Sequence, residues 1–192
     1  MKLAIVLGST RQGRQSDRQA KWILNTAQQT EGITAEIIDL KDYPMPFFDE
    51  PISPRYNPNR DIDPTAQKWL AKLDEYEAYI FVTAEYNHSI PAVLKNALDY
   101  VTFEMNRKPS TIASHGTVGG ARAAMHLKEI LSESKSVPIQ NAIALAGMSD
   151  KIDEQGNLDA ELKAAAYGPQ AALDALLAEL KWYGDALTAA RG

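Results

Sequence analysis

A polar, glycine-containing segment follows a short apolar stretch near the start of the chain. Residues 8–16, here called the first loop, read G-S-T-R-Q-G-R-Q-S. Hydroxyl groups and backbone amides in such a turn can donate to a phosphate, and the dipole of a following helix favours an anion. Arg11, Arg14 and Arg18 add positive charge, and arginine–phosphate bonds are among the stronger hydrogen bonds. These features favour phosphate binding over the alternative of an ordinary strand–helix turn with solvated arginines.

The same loop offers a second interpretation, because Gly8 and Gly13 have the G-x-x-x-x-G separation of a nucleotide P-loop. That motif needs a lysine for the β- and γ-phosphates, followed by a Ser or Thr hydroxyl for magnesium. Arg14 and Gln15 occupy those positions here. The dinucleotide pattern G-x-G-x-x-G is not present in this turn either, so ATP or GTP hydrolysis is not predicted.

Two further loops carry groups suited to a flat ligand. The second loop, residues 84–91, reads A-E-Y-N-H-S-I-P; its polar groups can bond the edge of a planar heterocycle, and Tyr86 can lie near a ring face. The third loop, residues 114–122, reads S-H-G-T-V-G-G-A-R. Its glycines let backbone amides approach a ligand closely, and Gly119 and Gly120 open a helix whose amino terminus favours negative charge.

Apolar periodicity predicts the elements that must position these loops. Short apolar runs at residues 3–7, 35–40, 78–83, 111–114 and 142–146 predict five strands, and the segments between them show three-four spacing typical of helices. Such alternation predicts a doubly wound parallel sheet. Ligands of these sheets bind at the carboxyl ends of the strands. The three loops follow strands one, three and four, which are neighbours in the order 2-1-3-4-5, so we expect the loops to meet.

Composition narrows the function classes. With 192 residues, 45% of them hydrophobic, the chain fits a single domain over residues 1–192. The absence of cysteine excludes disulfides and thiol chemistry, and with three histidines no metal site is predicted. The net charge of -5 argues against nucleic acid as a partner. No run reaches the roughly 18 apolar residues of a membrane span, so we expect no membrane association and a cytoplasmic location.

Residues 41–61 contain five prolines together with Phe47, Phe48 and Tyr56. Neither a helix nor a strand can run far through such a segment, which predicts a long loop with apolar content. It could pack as a flap on its own domain, or form a surface that covers a site or contacts a partner subunit. Both interpretations remain open at this point.

Taken together, the loops resemble the NADPH-dependent FMN reductase family, which includes azo-, quinone- and chromate-reducing flavoenzymes. The resemblance lies in L-G-S-x-R at residues 7–11, in E-Y-N-x-x-x-P and L-K-N-A-x-D within residues 85–100, and in S-x-G-x-x-G-G-x-R at residues 114–122. Gln12 and Ala84 stand where the family often has proline. The resemblance implies a flavodoxin-like three-layer α/β sandwich with a five-stranded parallel sheet in the order 2-1-3-4-5.

The resemblance also implies a cofactor-binding set. Ser9, Arg11 and Ser16 would hold the FMN phosphate, with Arg14 nearby. The contacts to the isoalloxazine ring would come from Glu85, Tyr86 and Asn87 on one edge, largely through backbone groups, and from His115, Gly116, Thr117 and Gly119 on the other. Because a flavin carries the chemistry itself, no catalytic side chain is required. His115 is the one group that could donate a proton, although we expect it to be a contact residue.

The function implied is that of an enzyme that passes hydride from NADPH or NADH through bound FMN to a small oxidant. A quinone, free flavin, azo compound or metal oxyanion would serve as the acceptor, and a homodimer or homotetramer is expected. Two alternatives stay open: a non-enzymatic electron carrier of flavodoxin type, and an α/β domain that has lost its flavin. The residues do not choose between the two nicotinamides.

Overall fold

The strands of this protein form one parallel sheet in the computed structural model, which describes residues 1–148 and 150–191. The strands are β1 (Lys2–Leu7), β2 (Thr34–Asp39), β3 (Ala78–Ala84), β4 (Pro109–Gly116), β5 (Val137–Pro138) and β6 (Ile143–Ala146). Their order is β2-β1-β3-β4, with both β5 and β6 pairing with β4 on its outer side. This arrangement confirms the predicted 2-1-3-4-5 order, which is that of the flavodoxin-like fold.

Helices cover both faces of the sheet. They are α1 (Ser16–Ala27), α2 (Pro64–Asp74), α3 (Ala92–Asp99), α4 (Ala121–Glu133), α5 (Ala160–Ala164) and α6 (Pro169–Arg191). α1 and α6 pack on one face, and α2, α3 and α4 pack on the other. Within the described ranges, no helix combines the length and apolar character that a membrane span requires.

Alternate side chains of each central strand enter opposite cores. Val6 packs in the cluster that contains Trp69 and Leu94, whereas the neighbouring Ile5 packs in the cluster that contains Ile23. All five are fully buried, and burying such a side chain stabilises the fold by about 1.5–3 kcal/mol. Because both faces of the strand are covered, the sequence of β1 is continuously apolar rather than alternating.

The fifth strand position differs from the prediction, because two separate strands fill it. β5 pairs with the start of β4 through Val137 and Pro138, and β6 pairs with its end. Pro138 has no backbone N–H to donate to a ladder. Between the two strands, the hydroxyl of Thr111 donates to the carbonyl of Asn141 across 2.5 Å. A side chain thus takes over the link to β4 where the backbone pairing is interrupted.

Strand register brings the carboxyl ends of the sheet to one level. Leu7 of β1 is paired with Asp39 of β2 and with Val82 of β3. Further along the sheet, Ala84 is paired with His115. The first, second and third loops therefore leave the sheet at the same edge.

The long segment between β2 and α2 is fastened to α3. The side-chain amide of Asn96 donates to the carbonyl of Pro46 (2.8 Å), and its oxygen accepts from the backbone N–H of Phe48 (2.9 Å). Glu50 and Arg60, whose side chains are 10% and 11% exposed, form a two-bond ion pair that closes the segment. The segment thus packs on its own domain, although parts of it remain exposed.

Candidate functional site

Hydrogen bonds join the three loops directly. The hydroxyls of Ser9 and Tyr86 are 2.8 Å apart, which links the first loop to the second. Ser16 Oγ lies 2.8 Å from Nε2 of His115, which links the first loop to the third. The backbone N–H of Glu85 donates to the carbonyl of His115 across 3.0 Å, which links the second loop to the third. The predicted convergence of the three loops is confirmed.

Arg14 holds the first loop in place. Its side chain is 3% exposed and forms ion pairs with Asp17 and Asp39, including Nη1 to Oδ1 of Asp39 at 2.8 Å; it also donates to the carbonyl of Ser9. Burial alone would lower the pKa of Arg14, but the bonds to Asp39 and Asp17 outweigh it and raise the pKa. All three guanidinium nitrogens have acceptors within the protein. Arg14 therefore fixes the loop, and its donors are already engaged.

Several donors of the first loop lack such partners. Among residues 1–148 and 150–191, the exposed guanidinium of Arg11 has no hydrogen bond or ion pair, and the backbone N–H groups of Thr10, Gln12 and Gly13 have no acceptor. The following helix α1 starts after Gln15, which makes no side-chain capping bond. An open helix amino terminus with unpaired N–H groups and a nearby cation favours an anion.

The second loop turns tightly between Tyr86 and Ser89. These two residues exchange backbone hydrogen bonds of 2.9 and 3.0 Å, and the two central residues, Asn87 and His88, have φ of 49° and 68°. Two successive positive φ angles are typical of a type I′ turn. The turn leaves Asn87 exposed at its tip, while the Tyr86 hydroxyl contacts the first loop.

The third loop folds back against the end of β4. Ser114 Oγ donates to the carbonyl of Gly119 across 2.7 Å, and the N–H of Gly119 donates to Gly116. Gly120 has φ of 74°, and a Cβ there would lie 2.8 Å from the backbone nitrogen of His115. Only glycine fits this position without a shift. Thr117 is exposed on the same loop.

A cavity of about 330 Å³ adjoins His115 on the side of β6. It is lined by Gln15, Gln19, His115, Gly116, Thr117, Leu145, Gly147 and Met148. The side-chain oxygens of Gln15 and Gln19 are buried, and no partner for them exists within the described residues. The volume lies at the lower end of the range for ligand pockets.

The sequence prediction did not include these two glutamines. They are four residues apart at the start of α1, so they share one helix face beside the predicted phosphate turn. The four-residue spacing of these two glutamines beside the first loop is the sequence feature that could have identified them as candidate ligand contacts.

His115 is a neutral side chain at physiological pH. Burial lowers its pKa to about 4, since a charged imidazolium loses hydration in the interior. A proton-donating imidazolium is therefore not present near pH 7, and the ring acts as a hydrogen-bonding partner. In the described part of the chain, no three acidic, histidine or cysteine side chains are grouped as a metal site would need.

Comparison with known proteins identifies a matching family model and several relatives. Residues 1–150 match the family model described as NADPH-dependent FMN reductase. An NAD(P)H-dependent FMN reductase of Schizosaccharomyces pombe is 33% identical over 158 residues, covering 82% of this chain and 78% of the relative. A 2-hydroxy-1,4-benzoquinone reductase of a Burkholderia species is 28% identical over 171 residues, covering 84% and 87%.

A solved structure shares the fold. FerB, a flavoenzyme NAD(P)H:(acceptor) oxidoreductase from Paracoccus denitrificans, aligns with a TM-score of 0.71 at 20% identity, over 97% of both chains. At this identity the likeness concerns the fold alone. It agrees with the strand order found here.

The lowered pKa of His115 predicts an acid-dependent loss of stability. Between pH 6.5 and about 4 the unfolded chain binds a proton at this residue and the folded chain does not, so stability falls as pH decreases through that range. The expected loss is roughly 3 kcal/mol at its limit. Urea unfolding of the ligand-free protein at pH 7.5, 6 and 5 measures it. The His115→Gln variant should show a shallower decline, and equal slopes for the two proteins would contradict the assignment.

Proposed function

The chain belongs to the NADPH-dependent FMN reductase family and is a flavin-dependent NAD(P)H oxidoreductase, and on this basis we propose that its three converging loops hold FMN. The observation that carries the proposal is the pair of bonds from Ser9 to Tyr86 and from Ser16 to His115. They bring the residues proposed for the phosphate within hydrogen-bonding distance of those proposed for the ring.

The phosphate would lie at the first loop. Ser9 and Ser16 supply hydroxyls, Arg11 supplies an unpaired positive charge, and the amides of Gln12 and Gly13 are without acceptors in the described structure. Such a set of donors matches a dianionic oxygen-rich group. Arg14 would not contact the phosphate; its ion pair with Asp39 would maintain the conformation of the first loop.

The ring would lie between the second and third loops. Tyr86 and Asn87 would face it from one side together with the backbone of Glu85; the other side would be formed by His115, Gly116, Thr117 and Gly119. The unpartnered oxygens of Gln15 and Gln19 would accept hydrogen bonds from the hydroxyls of the ribityl chain. This assignment satisfies buried acceptors that otherwise cost stability.

The bound FMN would supply the redox chemistry, accepting hydride from the nicotinamide and delivering it to an oxidant. The protein would orient the reactants and set the local electrostatics. His115 would remain neutral, so it would contribute a hydrogen bond rather than a charge near the ring.

We propose a small quinone as the acceptor, since a relative of similar length is named as a benzoquinone reductase. Free flavin, azo compounds and metal oxyanions are the further candidates. A flavodoxin-type carrier role is not favoured, because the family match is to reductases.

We also propose that residues 1–192 work as one domain in the cytoplasm. Beyond the family match, Leu173, Leu177 and Leu180 of α6 are fully buried in the same cluster as Ile5 and Ile80 of the sheet. The C-terminal helix therefore completes one of the two cores. A cytoplasmic location would give access to the nicotinamide pool that the activity requires.

Titration of the apoprotein with FMN, followed by turnover, tests the proposal. The reconstituted protein should be yellow and should oxidise NADPH or NADH when a quinone is supplied, with ping-pong kinetics. Riboflavin, which lacks the phosphate, should bind at least about tenfold more weakly than FMN. A protein that binds no flavin and shows no turnover would end the proposal.

Replacing Arg11 tests the proposed phosphate contact, and replacing Lys181, a cation distant in sequence on α6, serves as the matched control. Arg11→Ala should weaken FMN binding by about tenfold and leave riboflavin binding unchanged, because only FMN offers the anion. Lys181→Ala removes a cation of α6 that pairs with Asp185 and should leave both affinities unchanged. Equal effects of Arg11→Ala on the two flavins would contradict the phosphate assignment.

We propose further that the chain forms a homodimer or homotetramer. Phe47, Tyr56 and Phe103 are 81%, 82% and 56% exposed, and the guanidinium of Arg55 lies 6.0 Å from the Phe103 ring, which places the long segment beside it. Exposed aromatic groups of this kind are typical of an interaction surface.

Light scattering on the purified protein measures the oligomeric state. The wild type should show twice or four times the chain mass at micromolar concentration, and the double variant Phe47→Ser/Phe103→Ser should show a lower mass because apolar contact area is lost. A monomeric wild type would overturn this part of the proposal.

A further inference from the structure

Helix α4 begins without a capping side chain from its own neighbourhood. The residue before it, Gly120, has φ of 74° and no side chain to accept a hydrogen bond. The carboxylate of Glu85, in the second loop, fills that role. Its Oε2 accepts from the backbone N–H groups of Arg122 (2.9 Å) and Ala123 (3.3 Å). A carboxylate at this place satisfies two helix N–H groups that would otherwise be unpaired.

The side chain of Arg122 completes the contact. Its Nη1 donates to Oε1 of Glu85 across 2.8 Å, so both carboxylate oxygens are engaged. The Glu85 side chain is 9% exposed and the Arg122 side chain is 48% exposed. Burial would raise the pKa of Glu85, but the bonds from Arg122 and Ala123 lower it. The carboxylate is therefore charged at neutral pH.

The pair of Glu85 and Arg122 connects the two loops proposed to enclose the ring. Glu85 is followed directly by Tyr86 of the second loop, and its backbone N–H also donates to His115. Arg122 is the last residue of the third loop and lies in the first turn of α4. The second loop is thus tied to both ends of the third loop, once through the backbone and once through the side chain.

We propose that Glu85 and Arg122 are positioning residues that set the spacing of the two ring-enclosing loops for flavin. This proposal rests on the proposed function, because it assumes that FMN lies between those loops. The carboxylate acts through α4 rather than by touching the cofactor. It also occupies the amino terminus of α4, whereas the amino terminus of α1 has no side-chain cap within the described residues.

A matched helix cap in the same chain separates positioning from simple helix stabilisation. Asp159 accepts from the N–H groups of Glu161 (3.0 Å) and Leu162 (3.3 Å) at the start of α5. These bonds resemble those of Glu85 in number and length, but they lie within one local turn. Asp159→Ala should therefore lower the stability of the apoprotein and leave the FMN dissociation constant within about twofold of the wild type.

The experiment compares Glu85→Ala, Glu85→Gln, Arg122→Ala and Asp159→Ala as full-length proteins. FMN dissociation constants and the visible circular dichroism of the bound flavin are measured, with urea unfolding of each apoprotein alongside. Glu85→Ala should weaken FMN binding by about tenfold or more and change the dichroism band. Glu85→Gln, which keeps an acceptor oxygen, should recover part of the affinity. Arg122→Ala removes only an exposed side chain, so it should fold, and it should weaken binding in the same direction.

Two different results would contradict these expectations, and each would overturn a different part of the account. A wild type that binds no FMN overturns the proposed function and the positioning role with it. A wild type that binds FMN, with Glu85→Ala and Arg122→Ala both within twofold of it and an unchanged dichroism band, overturns the positioning role alone. In that second case the pair would be a helix cap equivalent to Asp159.

Discussion

The candidate site depends on one buried charge, the guanidinium of Arg14. A charged group out of water costs several kcal/mol unless partners compensate it, and here Asp17, Asp39 and the carbonyl of Ser9 provide that compensation. Because Asp39 ends β2, the first loop is fixed to the strand beside the one it leaves. These contacts all come from the protein itself, so they favour outward donors that are preorganised for an anion rather than assembled by it.

The two helix amino termini at the site then have different roles. Within residues 1–148 and 150–191, the start of α1 has no side-chain cap, and the guanidinium of Arg11 in the loop before it has no ion-pair partner. The start of α4 is already occupied by the carboxylate of Glu85. In the proposed binding mode an anionic group would therefore lie at α1, while α4 joins the loops on either side of the proposed ring position. Under the proposal, this placement of charge would orient the phosphate end of the ligand.

Sequence patterns predicted a doubly wound parallel sheet with its ligand loops at the carboxyl ends of the strands, because strand runs and the carboxyl-end rule act at the level of topology. The family resemblance implied the strand order 2-1-3-4-5, in which the three loops are neighbours. Sequence patterns could not distinguish Arg11 from Arg14, since Asp39, one of the two acids that engage Arg14, is 25 residues away in the chain. Glu85 was expected beside the ring through its backbone, and its bonds to α4 span 37 residues. The split fifth strand depends on a hydroxyl contact between Thr111 and Asn141. Each of these features is a long-range side-chain contact, which local periodicity does not encode.

The most direct measurement is to replace Arg14 with lysine, which keeps the charge but cannot form the forked contacts to two carboxylates. Urea unfolding of the apoprotein and titration with FMN should both be compared with Arg11→Lys. We expect Arg14→Lys to lose about 2–4 kcal/mol of unfolding free energy together with FMN affinity, whereas Arg11→Lys should keep its stability within about 0.5 kcal/mol. An Arg14→Lys protein as stable as the wild type, with unchanged FMN binding, would show that the buried guanidinium does not hold the site together.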